Sequence, residues 1–533
     1  MQTLRRTVAV LIFSAIAWLG AACERTDMPT AARPRPVMQT YGPPDLIVDD
    51  DHAQCPTATF TTIQAAINAA NPNDVILVCA GTYPELLTGA LTINKTLTLL
   101  GAQNTVDARN PRGPESIITD ISGTSVNASN VVIDGFTVQN STNGAFTGYG
   151  IWLNPNISGG ISGTQILNNI IQNNIVGIGL ANSGAQAVIR HNLMQNNNVP
   201  GPAFGQGIYT DEFVGGPTVN NVLVEENAFK GHVIAGIDVS NTDPAGGVFN
   251  LDVSTNSFDM NGRAVLLFNT HNSSFHNNSV TNSTEAASAA VRILDNNTNF
   301  SILNNNLVNG LGHAIRLSNT GTVGGPSSGV VINENNIGTV GFASFAGDGL
   351  LVDPPPVSGH AGTVNAECNW WGSSTGPTNV NNPGGTGEEV VGDADFTPWL
   401  VAPAPGGGCA GGGPSGKVTG GGQVPVNMMG GKGTFGFNAK SDGGVGSGHL
   451  NYLNHVTRAH LDCTVTSVLI TPPNKAKLSG PCSSENAGGA MSFTADVEDN
   501  GNPGKGADKF TISYGVVVNE GGTLISGNIE IHK

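Results

Sequence analysis

The strongest pattern along the chain places an asparagine between two short apolar runs. It reads apolar-x-x-Asn-x-apolar in residues 166–171 and again in residues 189–194. The asparagine returns at six further positions: Asn227, Asn256, Asn278, Asn305, Asn335 and Asn369. The spacing between successive asparagines varies from 22 to 35 residues while the local motif stays constant. This combination predicts stacked coils that share one turn and differ in the length of their other loops.

The asparagine column has a structural interpretation. An amide side chain carries both a hydrogen-bond donor and an acceptor, so stacked asparagines can bond from coil to coil and fix the turn. We therefore expect a ladder rather than a ligand site. Four histidines lie on different turns without the spacing of metal ligands, and no site is assigned to them: His191, His232, His271 and His276.

Each repeat is expected to hold one strand that ends in the asparagine motif and a second strand that reads small-apolar-x-apolar, as in residues 150–153 and 290–293. Strand side chains alternate between faces, so the third position points outward. These third positions form what we call the outward row: Trp152, Gly179, Tyr209, Asp238, Leu266, Arg292, Arg316 and Leu351. The residues three positions before these form a second outward row: Tyr149, Val176, Gln206, Ala235, Arg263, Ala289, His313 and Asp348. At ~4.8 Å per coil, eight coils make a rod of roughly 40 Å.

Composition and charge narrow the class of protein. The 533 residues include 73 glycines and only 11% charged side chains, and short Gly/Asn/Ser/Thr segments separate the apolar runs, which favours an all-β fold. The formal net charge of -17 argues against a nucleic-acid partner, because phosphate binding needs a basic stripe.

The first residues are typical of an export signal. Arg5 and Arg6 precede an apolar core and a run of small residues, so residues 1–23 are predicted to be a signal peptide. Cys23 after that run resembles the lipidated cysteine of bacterial lipoproteins, which implies a lipid anchor at the outer membrane or cell surface. The alternative is simple secretion after ordinary cleavage. Residues 24–47 are rich in proline and are predicted to be a tether.

Seven cysteines are present, so six remain if Cys23 carries lipid. An even set in an exported protein indicates disulfides, although sequence alone leaves the pairing open. Pairing of sequence neighbours predicts three bonds: Cys55–Cys79, Cys368–Cys409 and Cys463–Cys482.

Residues 61–70 carry apolar side chains at helical spacing, with a threonine placed to cap the helix, and strands follow around residues 74–79, 91–93 and 97–101. This block resembles the N-terminal cap of pectin-lyase-like right-handed parallel β-helices, and the later repeats resemble the same family of exported bacterial proteins. The resemblance implies a cap over residues 48–114 and a right-handed parallel β-helix over residues 115–401. The segment from Asn369 to Pro377 resembles a closing element of that family, in which Trp370 and Trp371 would plug the far end.

A Gly/Pro linker is predicted for residues 402–416. Residues 417–533 show alternating strands with Gly/Asn-rich turns, which predicts a small β-sandwich that resembles a C-terminal accessory domain of exported bacterial proteins. Residues 496–502 are rich in oxygen ligands for Ca²⁺, but they lack the full spacing of a calcium loop, and a solvated hairpin turn is favoured. No other cofactor is expected.

The outward row is the best candidate for a functional site. Aromatic rings can stack on sugar faces and arginines can pair with uronate carboxylates, so the row predicts a polysaccharide track. Its candidate binding residues are Trp152, Tyr209, Asp238, Arg292 and Arg316. The alternative is that these residues have no binding role and are ordinary polar positions on a solvated sheet.

Catalysis along the same face is an alternative. A polysaccharide lyase needs a base and a positive group, which Arg292, His313 and Arg316 could supply, whereas a glycoside hydrolase needs two carboxylates. The clustered acids are Asp211, Glu212 and Asp238. The family resemblance supplies neither the catalytic strands of pectin methylesterases nor the acidic calcium cluster of pectate lyases. The sequence therefore favours a monomeric, exported polysaccharide-binding protein, with a lyase or hydrolase and an adhesive structural rod as alternatives.

Overall fold

The computed structural model describes residues 40–85, 90–144, 148–339, 344–405, 409, 416–426, 431–442, 445–471, 474–484, 491–515 and 517–532. The predicted signal peptide, Cys23 and residues 24–39 of the predicted tether lie outside the described residues. Within the described ranges, no helix is long and apolar enough to cross a membrane.

Three long parallel sheets wrap around one apolar core, as in a right-handed parallel β-helix, which confirms the predicted fold class. Over residues 75–365, successive strands enter sheets A, B and C in turn. Sheet A contains β1 (Leu46–Val48), β2 (Val75–Val78), β5 (Thr98–Leu100), β8 (Val132–Asp134), β11 (Gln165–Leu167), β14 (Ala187–Arg190), β17 (Thr218–Glu225), β20 (Gly247–Ser254), β23 (Thr270–His276), β26 (Thr298–Leu303), β29 (Val331–Asn333), β32 (Val364–Asn365) and β35 (Ala394–Asp395).

Sheet B contains β3 (Gly81–Tyr83), β6 (Ser116–Ile118), β9 (Phe136–Gln139), β12 (Ile170–Gln172), β15 (Leu193–Gln195), β18 (Ala228–Lys230), β21 (Ser257–Asp259), β24 (Ser279–Ser283), β27 (Asn306–Gly310) and β30 (Asn336–Ile337). Sheet C contains β4 (Leu91–Ile93), β7 (Thr124–Val126), β10 (Tyr149–Leu153), β13 (Val176–Gly179), β16 (Gln206–Thr210), β19 (Ala235–Val239), β22 (Arg263–Phe268), β25 (Ala289–Leu294), β28 (His313–Ser318), β31 (Leu350–Val352), β33 (Pro377–Thr378) and β34 (Gly387–Val391). A complete coil thus has three strands, so the expectation of two strands per coil is wrong.

The asparagine motif is the corner between sheets A and B. In the first example, β11 ends at Leu167 and β12 begins at Ile170, so the motif spans two strands rather than ending one. The residue before each ladder asparagine has a φ between 53° and 60°: Asn168, His191, Glu226, Thr255, Asn277, Asn304, Glu334 and Cys368. This left-handed conformation is uncommon outside glycine, and here it turns the chain from one sheet into the next.

The asparagine ladder is present as predicted. The backbone N–H of Asn169 donates to Oδ1 of Asn192 over 2.8 Å, and Nδ2 of Asn169 donates to the same oxygen over 3.2 Å. Nδ2 of Asn169 also donates to the carbonyl of Ile133 in the preceding coil. The same contacts link Asn192, Asn227, Asn256, Asn278, Asn305, Asn335 and Asn369. The column therefore satisfies buried backbone groups at the corner.

A second, shorter ladder lies at the corner between sheets B and C. Nδ2 of Asn174 donates to Oδ1 of Asn197, and Nδ2 of Asn197 approaches Nε2 of His232 over 3.1 Å. Nδ1 of His232 lies 2.9 Å from Oδ1 of Asn261. His232 is fully buried, and burial lowers its pKa to about 4. This histidine thus replaces an asparagine in the ladder as a neutral imidazole.

The N-terminal cap contains the helix α1 (Ile63–Ala69), which packs Ile63, Ala66 and Ile67 into the core. The predicted threonine cap is wrong, because Thr62 makes no side-chain hydrogen bond to the helix. Instead, the Glu85 carboxylate accepts the backbone N–H groups of Ile63 and Gln64, which are the free donors of the first turn.

Both ends of the β-helix differ in one detail from the sequence prediction. Residues 46–48 form β1, which pairs with β2 in sheet A, so the predicted tether of residues 24–47 extends into the β-helix. Near the other end, Trp371 joins the core with Phe396 and Trp399, whereas Trp370 is buried outside that core. One of the two predicted tryptophans therefore contributes to closing the bore.

The C-terminal domain is all-β, but it is not the two-sheet sandwich that the sequence predicted. Its strands form one antiparallel sheet, sheet D, in a half-barrel with its own apolar core, in which the first eight strands pair in chain order and the last strand pairs with the first. Sheet D contains β36 (Gly416–Val426), β37 (Gly431–Asp442), β38 (Val445–Asn454), β39 (His460–Thr471), β40 (Lys475–Ser484), β41 (Met491–Glu498), β42 (Lys509–Tyr514), β43 (Val517–Thr523) and β44 (Ser526–His532).

Three disulfides join the pairs that the sequence predicted: Cys55–Cys79, Cys368–Cys409 and Cys463–Cys482. The third lies between directly paired residues of β39 and β40. Disulfides persist in oxidising compartments, so their presence is consistent with an extracellular or cell-surface protein.

Candidate functional site

The outward row lies on sheet C in the register that the sequence predicted. Pairing runs from Trp152 to Gly179, then to Tyr209 and Asp238, and continues through Leu266, Arg292, Arg316 and Leu351. All five candidate binding residues therefore share one line on one sheet. Their surroundings, however, divide the row into two ends with different properties.

The aromatic end, Trp152 and Tyr209, is covered by the protein itself. Residues 211–216, which we call the cover loop, fold back over it. Nε1 of Trp152 donates to the carbonyl of Val214 over 3.1 Å, and the Tyr209 hydroxyl donates to Oδ2 of Asp211 over 2.7 Å. Both rings pack against a small apolar cluster outside the main core. The two rings are thus partly buried and do not form the open stacking platform that the sequence suggested.

The two acids of the cover loop hold its conformation. Oδ1 of Asp211 accepts the backbone N–H groups of Phe213 and Val214. Glu212 accepts both the backbone N–H and the hydroxyl of Thr242. Although burial alone would raise it, the pKa of Glu212 lies below its ordinary value, because hydrogen bonds such as those from Thr242 outweigh the opposing effect of burial. Both carboxylates are therefore engaged within the protein, which argues against their predicted catalytic role.

Asp238 is also withdrawn from solvent. Its side chain accepts Nε2 of Gln206 over 3.0 Å and the Ser240 hydroxyl over 2.5 Å, and the residue is only 3% exposed. Burial raises its pKa. A carboxyl enclosed in this way is poorly placed to contact a sugar, so the expectation that Asp238 binds or acts on a glycan is not supported by its position.

The arginine end consists of Arg292 and Arg316 of the outward row together with Arg263 of the second outward row. All three positively charged residues are partly exposed. Arg316 pairs with Asp353, with Nε–Oδ1 and Nη2–Oδ2 distances of 3.0 Å each. Arg263, in the second outward row, donates to the Ser288 hydroxyl over 2.8 Å. Neither Arg263 nor Asp353 was among the site residues expected from the sequence. Extending the strand register by two positions beyond Leu351 would have found Asp353.

His313 lies beside Asp348 at the edge of this end. Its Nδ1 accepts the backbone N–H of Asp348 over 2.8 Å, and the carboxylate lies 3.1 Å from the same nitrogen. Burial lowers the pKa of His313 and outweighs the opposite effect of Asp348. Nδ1 of His313 is therefore already occupied, which weakens its candidacy as a catalytic base.

Arg292 differs from its neighbours. It lies between Leu266 and Arg316 in the row, and its Nη1 is buried without a hydrogen-bond partner among the described residues. Burial and the charge of Arg316 lower its pKa to about 10. Among the described residues, Arg292 therefore has no ion-pair partner.

The turn considered for calcium shows acids that are already paired. Glu498 contacts Lys475 and Lys509, and Asp499 accepts the backbone N–H of Ile531. Calcium binding at residues 496–502 stays the less favoured alternative to a solvated turn. A closer group of carboxylates is formed by residues 49–51, where Asp49 is fully buried and accepts the backbone N–H of Cys55.

No family model and no curated protein sequence matches the chain. Several solved structures have a similar fold. The surface adhesin PfbA of Streptococcus pneumoniae has a TM-score of 0.32 and 12% identity, over 55% of this chain and 87% of that chain. The Dettilon tailspike protein has a TM-score of 0.39 and 12% identity, over 90% and 91%.

The A-module of the mannuronan C-5 epimerase AlgE4 of Azotobacter vinelandii is a third similar structure. It has a TM-score of 0.28 and 13% identity, over 64% of this chain and 93% of that chain. Similarity at this level concerns the type of fold and assigns no activity to this chain.

Proposed function

We propose that this chain is an exported protein that binds a polysaccharide along sheet C, at the arginine end of the outward row. The observation that supports the proposal is the register of the row, which places side chains at ~4.8 Å intervals along the rod. A linear polymer that lies parallel to the rod meets a new side chain at each coil. The aromatic end is covered, so the track is shorter than the whole row.

Binding without catalysis is the version that the side chains support best. A hydrolase needs two available carboxylates, whereas Asp211 and Glu212 are engaged in the cover loop and Asp238 is buried. A lyase needs a base near the sugar, and Nδ1 of His313 is already occupied. A lyase, a hydrolase and a structural rod are the alternatives that the following experiment distinguishes from a binding protein.

The test uses the full chain and a panel of neutral and acidic polysaccharides on a solid support. Retention without new chain ends supports a binding protein. New unsaturated ends would indicate a lyase, and new reducing ends a hydrolase. Failure to retain any polysaccharide of a broad panel would contradict the proposal and leave the structural rod.

A matched pair of variants locates the surface. Leu266 lies in the outward row of sheet C and is partly exposed, so Leu266→Glu should weaken retention of any bound polymer by about tenfold or more. Leu193 is partly exposed on the strand β15 of sheet B, so Leu193→Glu makes the same change on another face and should leave retention unchanged. If both variants retain the polymer as strongly as the original chain, sheet C is not the binding surface.

A further inference from the structure

The arginine end holds three guanidinium groups, of which two have partners and one does not. Arg263 contacts the Ser288 hydroxyl and lies 3.7 Å from Glu285, and Arg316 forms two bonds with Asp353. Arg292 makes no ion pair or hydrogen bond with any described residue, and its Nη1 is buried. A partly buried cation without a counter-ion loses hydration, and no ion pair or hydrogen bond offsets that loss.

The acids near Arg292 are not available to it. Asp353 is held by Arg316 and by the Ser318 hydroxyl. Asp295 accepts the backbone N–H groups of Thr320 and Thr322. Both acids act on Arg292 only at longer range, and Arg316 and Arg263 act on it with the opposite sign. Arg292 therefore has two cations and two acids at longer range and no direct acidic partner among the described residues.

We propose that Arg292 is the anchor of a subsite for an anionic sugar unit, a uronate carboxylate or a sulfate ester. The inference rests on the proposed polysaccharide binding and specifies its ligand class. Arg292 is partly exposed, so an oxyanion on the sugar would accept hydrogen bonds from its guanidinium N–H groups other than the buried Nη1, which the planar fork presents side by side. Arg316, one coil away in the row, adds positive charge and is itself fixed by Asp353.

The acidity of the rest of the chain works against the binding of a charged polymer. Long-range repulsion opposes the approach of a polyanion, so binding has to come from short-range contacts at the arginine end. An uncharged polymer can use the same sheet face but gains nothing from Arg292. The inference therefore concerns the preference between charged and uncharged polymers, not binding in general.

The test compares each charged polymer with an uncharged partner of the same backbone: a polyuronate with its methyl ester, and dextran sulfate with dextran. The full chain should retain the charged member of at least one pair about tenfold more strongly. Preference within the first pair identifies a carboxylate, and preference within the second identifies a sulfate.

Three variants assign the preference to one side chain. Arg292→Gln should remove at least tenfold of the preference, and Arg292→Lys should remove part of it, because an ammonium keeps the charge but lacks the fork. Arg109→Gln, at an exposed pair with Asp107 outside sheet C, removes the same charge elsewhere and should leave the preference intact.

The outcomes separate this inference from the proposed function. If charged and uncharged polymers are retained equally, the anionic subsite is wrong while polysaccharide binding stands. If Arg292→Gln keeps the full preference, the subsite lies elsewhere and the inference is overturned. If no polymer is retained at all, both are wrong.

Discussion

His232 should make the β-helix sensitive to acid, and the size of the effect can be worked out from its position in the ladder. Its Nε2 faces Nδ2 of Asn197, which can only donate, so Nε2 has to accept. Its Nδ1 faces Oδ1 of Asn261, which can only accept, so Nδ1 carries the proton. Protonation of Nε2 would place two donors against each other in a fully buried site.

The direction and magnitude follow from the two pKa values. The pKa of His232 is lowered from 6.5 to about 4, chiefly by burial, and the contact with Asn261 acts in the opposite direction. Between these values the unfolded chain binds the proton and the folded chain does not, so the free energy of unfolding falls as the pH falls. At about 1.4 kcal/mol per pH unit, the loss should reach about 3 kcal/mol near pH 4.

Replacing His232 by Asn, the residue at the other positions of this ladder, should remove that loss. Denaturant unfolding can be followed by tryptophan fluorescence, since the four tryptophans of the described chain, Trp152, Trp370, Trp371 and Trp399, all precede sheet D. From pH 7 to pH 4 the stability of His232→Asn should improve relative to the original chain by about 3 kcal/mol. Carboxylates common to both proteins cancel in this difference.

A control and a refuting result complete the experiment. His191 occupies a corner position where other coils carry asparagine, so His191→Asn makes the same change at a partly exposed site outside the ladder. If the difference between His232→Asn and the original chain stays constant from pH 7 to pH 4, the ladder histidine is not the source of acid sensitivity. The assignment of His232 as a buried neutral imidazole would then be wrong.

Three further predictions test other parts of the molecule. Arg292→Met should raise the free energy of denaturant unfolding by about 1 kcal/mol, because it removes a partly buried unpaired cation; a loss of stability would show that an internal partner was missed. Glu85→Ala should lower it by about 1–2 kcal/mol, because two N–H groups of α1 lose their acceptor, and an unchanged midpoint would refute the cap. Cys23→Ser should release the protein from membranes on fractionation; a chain found in the soluble fraction either way is not lipidated.

Much of the rod could be predicted from the sequence because its geometry repeats. Side chains in a strand alternate, and the asparagine corner fixes where each coil begins, so the alignment of Trp152 with Tyr209 and Arg316 follows from counting. The number of strands in a coil was harder to predict. β11 and β12 are separated by two residues in which the chain turns sharply, and the apolar pattern reads through the corner as one run.

Whether each site residue is paired, covered or exposed could not be predicted, because this depends on contacts between residues far apart in the sequence. Arg292 and Arg316 stand in nearly identical local sequences, yet only Arg316 meets Asp353, 37 residues later. Trp152 is covered by a loop that begins more than fifty residues away, with Val214 as its hydrogen-bond partner. The sandwich prediction was wrong for a similar reason, since alternating strands do not reveal whether a sheet pairs its last strand with its first.

The constant corner between sheets A and B also bears on how this protein can change over time. Every coil passes through the same left-handed residue and the same amide, although coil lengths range from 22 to 35 residues. Insertions and deletions are therefore confined to the other two corners, which border sheet C. Surface loops tolerate such changes at small cost in stability. The rod can thus acquire or discard cover loops beside its glycan track, and so alter what it recognises, without disturbing the stack that supports it.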